Sequence, residues 1–172
     1  MLDDWEVSGI TQFQSGFPIR LNTEDDTELI NSLFFLGTEA PSLVAPFQKL
    51  DPRKTYTNLG LTTPGYWFNP NDFATAATPN GAPVPPLGSF NNGTQRTICC
   101  GPGLIDFDFS VHKKIVLSET RYLQFRAEIF NVFNHTNYSN PDGGFSDGPT
   151  SFGKITSAGD PRLLQFALKF FF

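Results

Sequence analysis

Four segments of the chain alternate between apolar and polar residues, which is the period of a β-strand with two different faces. They predict strands over about residues 5–15, 104–117, 121–135 and 162–172. Only the polar stretch Ser118-Glu119-Thr120 separates the second strand from the third, so these two form a tight antiparallel hairpin. The fold class that follows is all-β, with antiparallel strands.

The second and fourth segments show the two faces most clearly. In the second, Ile105, Phe107, Phe109 and Val111 face one way, and Asp106, Asp108, Ser110 and His112 face the other. The fourth carries a stripe of large apolar side chains, formed by Leu164, Phe166, Leu168, Phe170 and Phe172. Ten residues (163–172) tilted by about 45° rise roughly 23 Å, close to the apolar band of about 25 Å in outer-membrane barrels.

The connections between these strands alternate long, short, long. Residues 18–103 have no sustained period and many Pro, Asn and Gly residues, which predicts one very long loop. Within it, Thr27 to Leu36 has the composition of a short helix or strand, and residues 137–149 form a second polar connection. Compact soluble domains rarely contain such a connection, whereas outer-membrane barrels combine long extracellular loops with short periplasmic turns.

Four strands are too few to close a barrel, because the smallest bacterial barrels have eight. In lipid, the backbone groups of two open strand edges would be unpaired, at a cost of tens of kcal/mol. We therefore expect the chain to be the C-terminal part of a larger transmembrane β-barrel, with residues 18–103 as an extracellular loop.

Composition and charge narrow the classes of function. The 19 Phe, 15 Gly and 14 Pro residues favour strands separated by turns. A formal charge of −5 without a Lys/Arg stripe argues against nucleic acid as a partner. No apolar run approaches the roughly 18–20 residues of a membrane-spanning helix, which excludes a helical membrane protein.

Residues with reactive or metal-binding side chains do not form a recognisable catalytic or metal site. Cys99 and Cys100 are too close together to hold zinc without two further ligands, which leaves a loop disulfide or two inert thiols. His112 and His135 have no nucleophile at a recognisable spacing, so we expect no enzymatic activity. Asp106 and Asp108 share a strand face, and we interpret them as polar residues of a barrel wall rather than a cation site.

Aromatic residues of the long loop are candidates for ligand contact, because loops on a rigid scaffold often carry recognition. They are Tyr56, Tyr66, Trp67, Phe68 and Phe73. Packing of the loop onto itself explains the same residues equally well.

Several blocks of sequence together resemble one family. They are Ser-Gly-Ile-Thr-Gln-Phe-Gln-Ser-Gly-Phe-Pro-Ile at 8–19, Trp-Phe-Asn-Pro-Asn-Asp-Phe-Ala at 67–74, Gly-Pro-Gly at 101–103 before Asp-Phe-Asp-Phe-Ser-Val-His-Lys, Leu-Gln-Phe-Arg-Ala-Glu-Ile-Phe-Asn-Val-Phe-Asn-His-Thr-Asn at 123–137, and residues 152–172. In this order they resemble the barrel end of TonB-dependent outer-membrane receptors of the Oar-like kind, which carry an N-terminal carboxypeptidase-regulatory-like domain.

The resemblance implies a 22-stranded barrel whose last four strands are in this chain, and import of an unknown extracellular ligand without a cofactor. The implied partners are outer-membrane lipid, the rest of the barrel and its plug, the barrel assembly machinery and a TonB-type energy-coupling protein. It also implies that Phe172, at the end of the lipid-facing stripe, belongs to the assembly signal. The chain departs from the family at Cys99-Cys100, where an Arg-containing approach to Gly-Pro-Gly is expected.

Two other classes of function remain open at this point. One is a soluble, secreted β-rich module that binds a ligand such as carbohydrate through the loop aromatics. The other is an orphan barrel fragment without independent activity.

Overall fold

A computed structural model describes residues 4–22, 40–74, 97–145 and 150–172. The predicted element at Thr27 to Leu36 lies outside these residues. The chain divides into two compact units. Met1–Ser15, Gly103–Tyr138 and Ala158–Phe172 form the first, here called the sheet unit, and Gly16–Pro102 with Ser139–Ser157 form the second, here called the loop unit.

The described residues contain strands that we number in chain order: β1 (Trp5–Gln14), β2 (Ile19–Arg20), β3 (Ser42–Leu43), β4 (Phe73–Ala74), β5 (Thr97–Ile98), β6 (Leu104–Val116), β7 (Tyr122–Phe130) and β8 (Leu163–Phe171). The sheet unit consists of the four long strands in the order β1-β6-β7-β8, and each neighbouring pair is antiparallel. The predicted all-β antiparallel fold is confirmed. Within the described residues, no helix is long and apolar enough to cross a membrane.

The register of the sheet places the apolar positions of each strand opposite the apolar positions of its neighbours. Val7 lies opposite Val111, Val111 opposite Ala127, and Ala127 opposite Phe166. Since directly opposite residues point to the same side of a sheet, this row runs across all four strands. The apolar positions of the four strands therefore form one continuous face.

Three of the long strands begin and end within two residues of the predicted bounds, but β7 is shorter than predicted. It ends at Phe130, whereas the alternation favoured a strand to about residue 135. Asn131, the next residue, has φ of 50°, and this left-handed backbone conformation cannot continue a strand. Phe130, Val132 and Phe133 are apolar residues that favour strands, which is why the sequence prediction ran past the end of β7.

The prediction of one loop without regular structure over residues 18–103 needs correction. The loop unit pairs β2 with β5 and β3 with β4, and it has 3₁₀ turns at Thr57–Leu59 and Pro70–Asp72. The strands are only two residues long and pair with distant partners, so they leave no period in the sequence. What was predicted as a loop is in part a folded unit.

The loop unit has its own hydrophobic core, and the second long connection contributes to it. The buried members of the main cluster are Ile19, Leu21, Ala40, Phe68, Phe73 and Phe152. Phe152 comes from residues 139–157, and the others come from residues 16–102. The two long connections therefore fold together rather than separately.

A close approach of backbone explains the glycine of the Gly-Pro-Gly block. The Gly101 amide donates to the carbonyl oxygen of Phe17 at 2.8 Å. A Cβ atom at Gly16 would collide with the carbonyl of Gly101, and one at Gly101 would collide with the side chain of Asn140. The clash at Gly16 is with backbone and excludes any side chain there, whereas a side chain at Gly101 would require Asn140 to move.

Candidate functional site

One face of the sheet unit is a wide apolar surface. Its rows include Gly9, Phe109, Ile129 and Leu164 across the strands, and, on the other side of the row that contains Val7, Lys113, Phe125 and Leu168. Phe166 and Leu168 are each 66% exposed, and Val7 is 59% exposed. A soluble monomer rarely exposes a contiguous apolar patch of this extent, so this face is suited to an apolar environment.

Aromatic residues lie near both ends of the apolar face. At one end, the Nζ atom of Lys113 is 5.1 Å from the centre of the Trp5 ring. At the other end, the ring of Phe107 packs edge-on against Phe13 at 5.4 Å and Phe133 at 4.9 Å. Phe13 is eight positions after Trp5, a distance of about 26 Å along a strand and about 19–22 Å across the membrane at tilts of 35–45°.

The opposite face carries polar and charged side chains that contact each other across strands. The Arg126 Nε atom donates to His112 Nε2 at 3.3 Å, and the other imidazole nitrogen of His112 lies 3.8 Å from a carboxylate oxygen of Glu6. Glu128 is 3.9 Å from both His112 and Arg126. The hydroxyls of Ser8 and Ser110 are 2.7 Å apart. The polar side chains of this face therefore pair with each other across strands, as they do on the inner wall of a barrel.

A shallow cavity of about 170 Å³ lies beside the two serines. It is lined by Ser8, Gly9, Ile10, Asp108, Phe109, Ser110, Glu128 and Phe130. Asp108 accepts a hydrogen bond from the Asn131 amide at 3.0 Å, and Asp106 accepts one from the Phe107 amide at 3.0 Å. Among the described residues, no three His, Cys, Asp or Glu side chains are placed to hold a metal ion.

The stripe predicted for the last strand lies on β8, which pairs with β7 along its whole length. Leu164, Phe166, Leu168 and Phe170 are exposed on the apolar face, and Phe172 follows the strand with 92% of its surface exposed. Beside the stripe, on the other face, the rings of Tyr122 and Phe171 stack at 4.2 Å. The lipid-facing and assembly roles of this stripe stay predictions.

The five loop aromatics divide into buried and half-buried residues. Phe68, Phe73 and Tyr66 are buried in the two hydrophobic clusters of the loop unit. This burial favours the packing interpretation over ligand contact for these three. Trp67 and Tyr56 are half-buried: the Trp67 ring lies under Lys49 Nζ at 4.2 Å, and the Tyr56 hydroxyl accepts from the Asp51 amide at 2.8 Å.

Trp67 also links to the cysteine pair. Its indole N–H donates to the carbonyl oxygen of Cys100 at 2.9 Å. The structure places the sulfur atoms of Cys99 and Cys100 in bonding contact. Whether a disulfide forms there in the cell stays a prediction from sequence.

Two carboxylates of the loop unit differ in their surroundings. Hydrogen bonds from Arg53 lower the pKa of Asp51 to about 2. Burial raises the pKa of Asp72, although the Gln48 amide and the Asn69 side chain both donate to its carboxylate at 2.8 Å. Asp72 thus holds two segments of the loop unit together from a buried position.

Sequence reasoning missed the roles of two residues. Phe152 was not identified from the sequence as a core residue, but it is 1% exposed at the centre of the aromatic core. Asn131 was placed inside a strand, but it ends that strand. The Asn-Val-Phe-Asn spacing after an alternating segment is a turn signal that would have indicated the second of these roles.

A family model described as "Outer membrane beta barrel domain" matches residues 1–165. No curated protein and no solved structure matches the chain.

Proposed function

Because the chain belongs to the outer membrane beta barrel domain family, we propose that it is a barrel segment of a TonB-dependent receptor that imports an extracellular ligand. The family identifies the chain as part of a β-barrel of the bacterial outer membrane. Its described sheet is antiparallel, as such barrels require.

The receptor role rests on the resemblance of the sequence blocks, and the difference between the two faces of the sheet supports the barrel on which that role depends. In a large barrel, one face contacts lipid and the other lines a polar interior. The apolar face supplies the first surface, and the face with Glu6, His112, Arg126 and Glu128 supplies the second. Charged side chains facing lipid are destabilising at the bilayer centre and less so near its interfaces. Among the charged residues of the four long strands, Lys113 alone lies on the apolar face, beside Trp5 near one end, so this assignment of faces is the favourable one.

The connections support the same orientation. The chain leaves β1 and enters β6 at one end of the sheet, and it leaves β7 and enters β8 at that same end. The short turn between Val116 and Tyr122 is at the other end. By the loop lengths of outer-membrane barrels, the loop unit is extracellular and the short turn is periplasmic.

The receptor role implies specific partners. These are outer-membrane lipid, the remaining barrel strands and plug, the barrel assembly machinery, and a TonB-type energy-coupling protein in the periplasm. The proposed activity is transport and not catalysis, and it requires no cofactor in this segment. The ligand reaches the exterior loops first, where Trp67 and Tyr56 retain partly exposed rings.

Crosslinking to the energy-coupling protein tests the receptor role. The protein, tagged and produced at native level in its own outer membrane, should form a crosslink with the periplasmic coupling protein, and added energy uncoupler should change its yield. A barrel protein of another function gives no such crosslink above that of an unrelated outer-membrane protein. That outcome would remove the receptor role and leave the barrel assignment in place.

A soluble binding module is the competing function, and detergent dependence separates the two. The barrel interpretation predicts that the purified chain aggregates or unfolds without detergent, because the apolar face is exposed. A monomeric chain with a sharp unfolding transition in plain buffer would favour the soluble module.

A further inference from the structure

Asn131 lies at the point where β7 ends, its backbone is left-handed, and its side chain bonds to other segments of the chain. It is 6% exposed and has φ of 50°, a conformation that Asn adopts more readily than most residues. The following amide, of Val132, still donates to the Phe107 carbonyl on β6 at 2.8 Å. The chain therefore stays attached to the sheet while it turns away from the direction of β7.

The side chain of Asn131 uses its donor and acceptor ends on different segments. Its Oδ1 atom accepts from the His135 amide at 2.8 Å. Its Nδ2 atom donates to the carbonyl of His135 at 2.9 Å and to the carbonyl of Asp160 at 3.2 Å. Its own amide donates to Asp108 on β6 at 3.0 Å. One buried residue thus joins β6, the turn after β7 and the segment that enters β8.

Two further asparagines make similar but simpler bonds. Asn134, with φ of 52°, accepts through Oδ1 from the Arg162 amide at 2.9 Å, one residue before β8 begins. Asn137 accepts through Oδ1 from the Ile105 amide on β6 at 3.0 Å. In these bonds to the strands, both side chains act as acceptors. Only Asn131 also donates.

We propose that Asn131, Asn134 and Asn137 form an asparagine latch that fixes the register of β8 against β7, and that this register is required for barrel assembly. The proposal rests on the barrel function proposed above. The latch holds Asp160 and Arg162 on one side of the turn, and the first pair of the ladder, Phe130 opposite Leu163, follows directly. Bonds made before the first ladder pair decide which residues can pair.

Register matters at this strand because a slip by one residue reverses both faces. Such a slip would turn Gln165 and Lys169 toward the apolar face and Phe166 and Leu168 toward the polar one. β8 is an edge strand of the described sheet, so β7 is its sole neighbour there. Hydrogen bonds from the asparagine latch, which lies outside the β7–β8 ladder, would exclude the slipped register.

The difference between donor and acceptor roles gives matched variants. Substitution of Asn by Asp keeps an acceptor oxygen but removes the N–H donors. Asn131→Asp loses the two bonds that Nδ2 donates to the carbonyls of His135 and Asp160, keeps the bond from the His135 amide, and adds a charge near Asp108. Asn134→Asp and Asn137→Asp retain their acceptor bonds. The latch therefore predicts that Asn131→Asp impairs register and assembly, whereas the same Asn-to-Asp change at Asn134 or Asn137 does not.

The test measures register and assembly in the outer membrane. In a background with Cys99→Ser and Cys100→Ser, the pair Ala127→Cys and Phe166→Cys reports the native register, since these residues lie opposite each other. The pair Ala127→Cys and Gln165→Cys reports a slip. Asn131→Asp should lower the native crosslink, or the amount of folded protein in the membrane, by at least about fivefold, and Asn134→Asp and Asn137→Asp should change each by less than about twofold.

The outcomes distinguish a failure of the latch proposal from a failure of the barrel function. Loss of Asn131→Asp protein with normal Asn134→Asp protein supports the latch, as does a gain in the slipped crosslink. Equal effects of all three variants, or a native crosslink and protein level unchanged in Asn131→Asp, would overturn it. If the parent protein itself gives no native crosslink in the membrane, the sheet and the barrel function fail, and not the latch alone.

Discussion

Removal of the Phe152 side chain should selectively open the loop unit. The ring is buried and packs edge-on against Phe68 at 5.1 Å, Phe73 at 5.3 Å and Phe145 at 5.1 Å. Phe→Ala changes at such core sites cost about 3–5 kcal/mol, and the three aromatic contacts account for part of this cost. The equilibrium for opening of the loop unit should therefore shift by roughly 10²- to 10⁴-fold.

Hydrogen exchange measures this opening at defined amides. The Trp67 amide donates to Gly153, next to Phe152, and the Leu50 amide donates to Trp67, each at 2.8 Å. In Phe152→Ala, both amides should exchange faster by roughly the factor above, provided that they exchange through opening of the unit. Phe17→Ala is the matched control, because the Phe17 side chain belongs to the same unit but is 62% exposed.

The prediction has a clear refutation. If Phe152→Ala changes exchange at these amides no more than Phe17→Ala does, the two long connections do not share a core. The folded loop unit would then be an incorrect description, and the original prediction of an unstructured loop would return.

Three further perturbations test other parts of the account. Deletion of Phe172 should lower the outer-membrane level of the protein, measured by immunoblot of membrane fractions, and an unchanged level would remove its role in assembly. Ala127→Arg places a charge on the apolar face and should lower the free energy of unfolding by about 2–4 kcal/mol if the site is near the bilayer centre. Gln165→Arg places the same charge on the polar face and should leave the free energy of unfolding nearly unchanged. Equal effects of the two variants in an unfolding titration would contradict the assignment of faces. Because burial raises the pKa of Asp72, its folded form binds more protons than the unfolded form above the usual carboxyl pKa, so stability of the loop unit should fall as pH rises through the raised pKa. Asp72→Asn should abolish this slope in thermal unfolding followed by Trp67 fluorescence with Trp5→Phe, and a slope that persists would assign it to another group.

The long strands could be predicted from sequence because apolar and polar residues alternate along each of them. The alternation also predicts that Val7, Val111, Ala127 and Phe166 lie on apolar faces, whereas the structure shows that they lie opposite one another in one row. The end of β7 escaped prediction because Phe130, Val132 and Phe133 favour a strand, although Asn131 falls on the face of Ile129 and breaks the alternation. The local pattern does not show which distant segments Asn131 bonds to.

The loop unit could not be predicted for a different reason. Its strands are two residues long, and its core joins Phe68 and Phe73 to Phe152 from a separate connection. An aromatic residue in a polar segment suits ligand stacking and core packing equally well, so the sequence left both interpretations open for Tyr66, Phe68 and Phe73. Burial decides between them, and burial depends on contacts that are distant in sequence.

The measurement that tests the central claim most directly is a scan of lipid exposure along β7. Single cysteines at positions 123–129, in a background without Cys99 and Cys100, are labelled with an environment-sensitive fluorophore in outer membranes and quenched by nitroxide-labelled lipid. The account predicts quenching with a period of two, strong at Leu123, Phe125, Ala127 and Ile129 and weak at Gln124, Arg126 and Glu128. Uniform quenching, or none at any of the seven positions, would contradict a sheet with one face in lipid and the other in a polar interior.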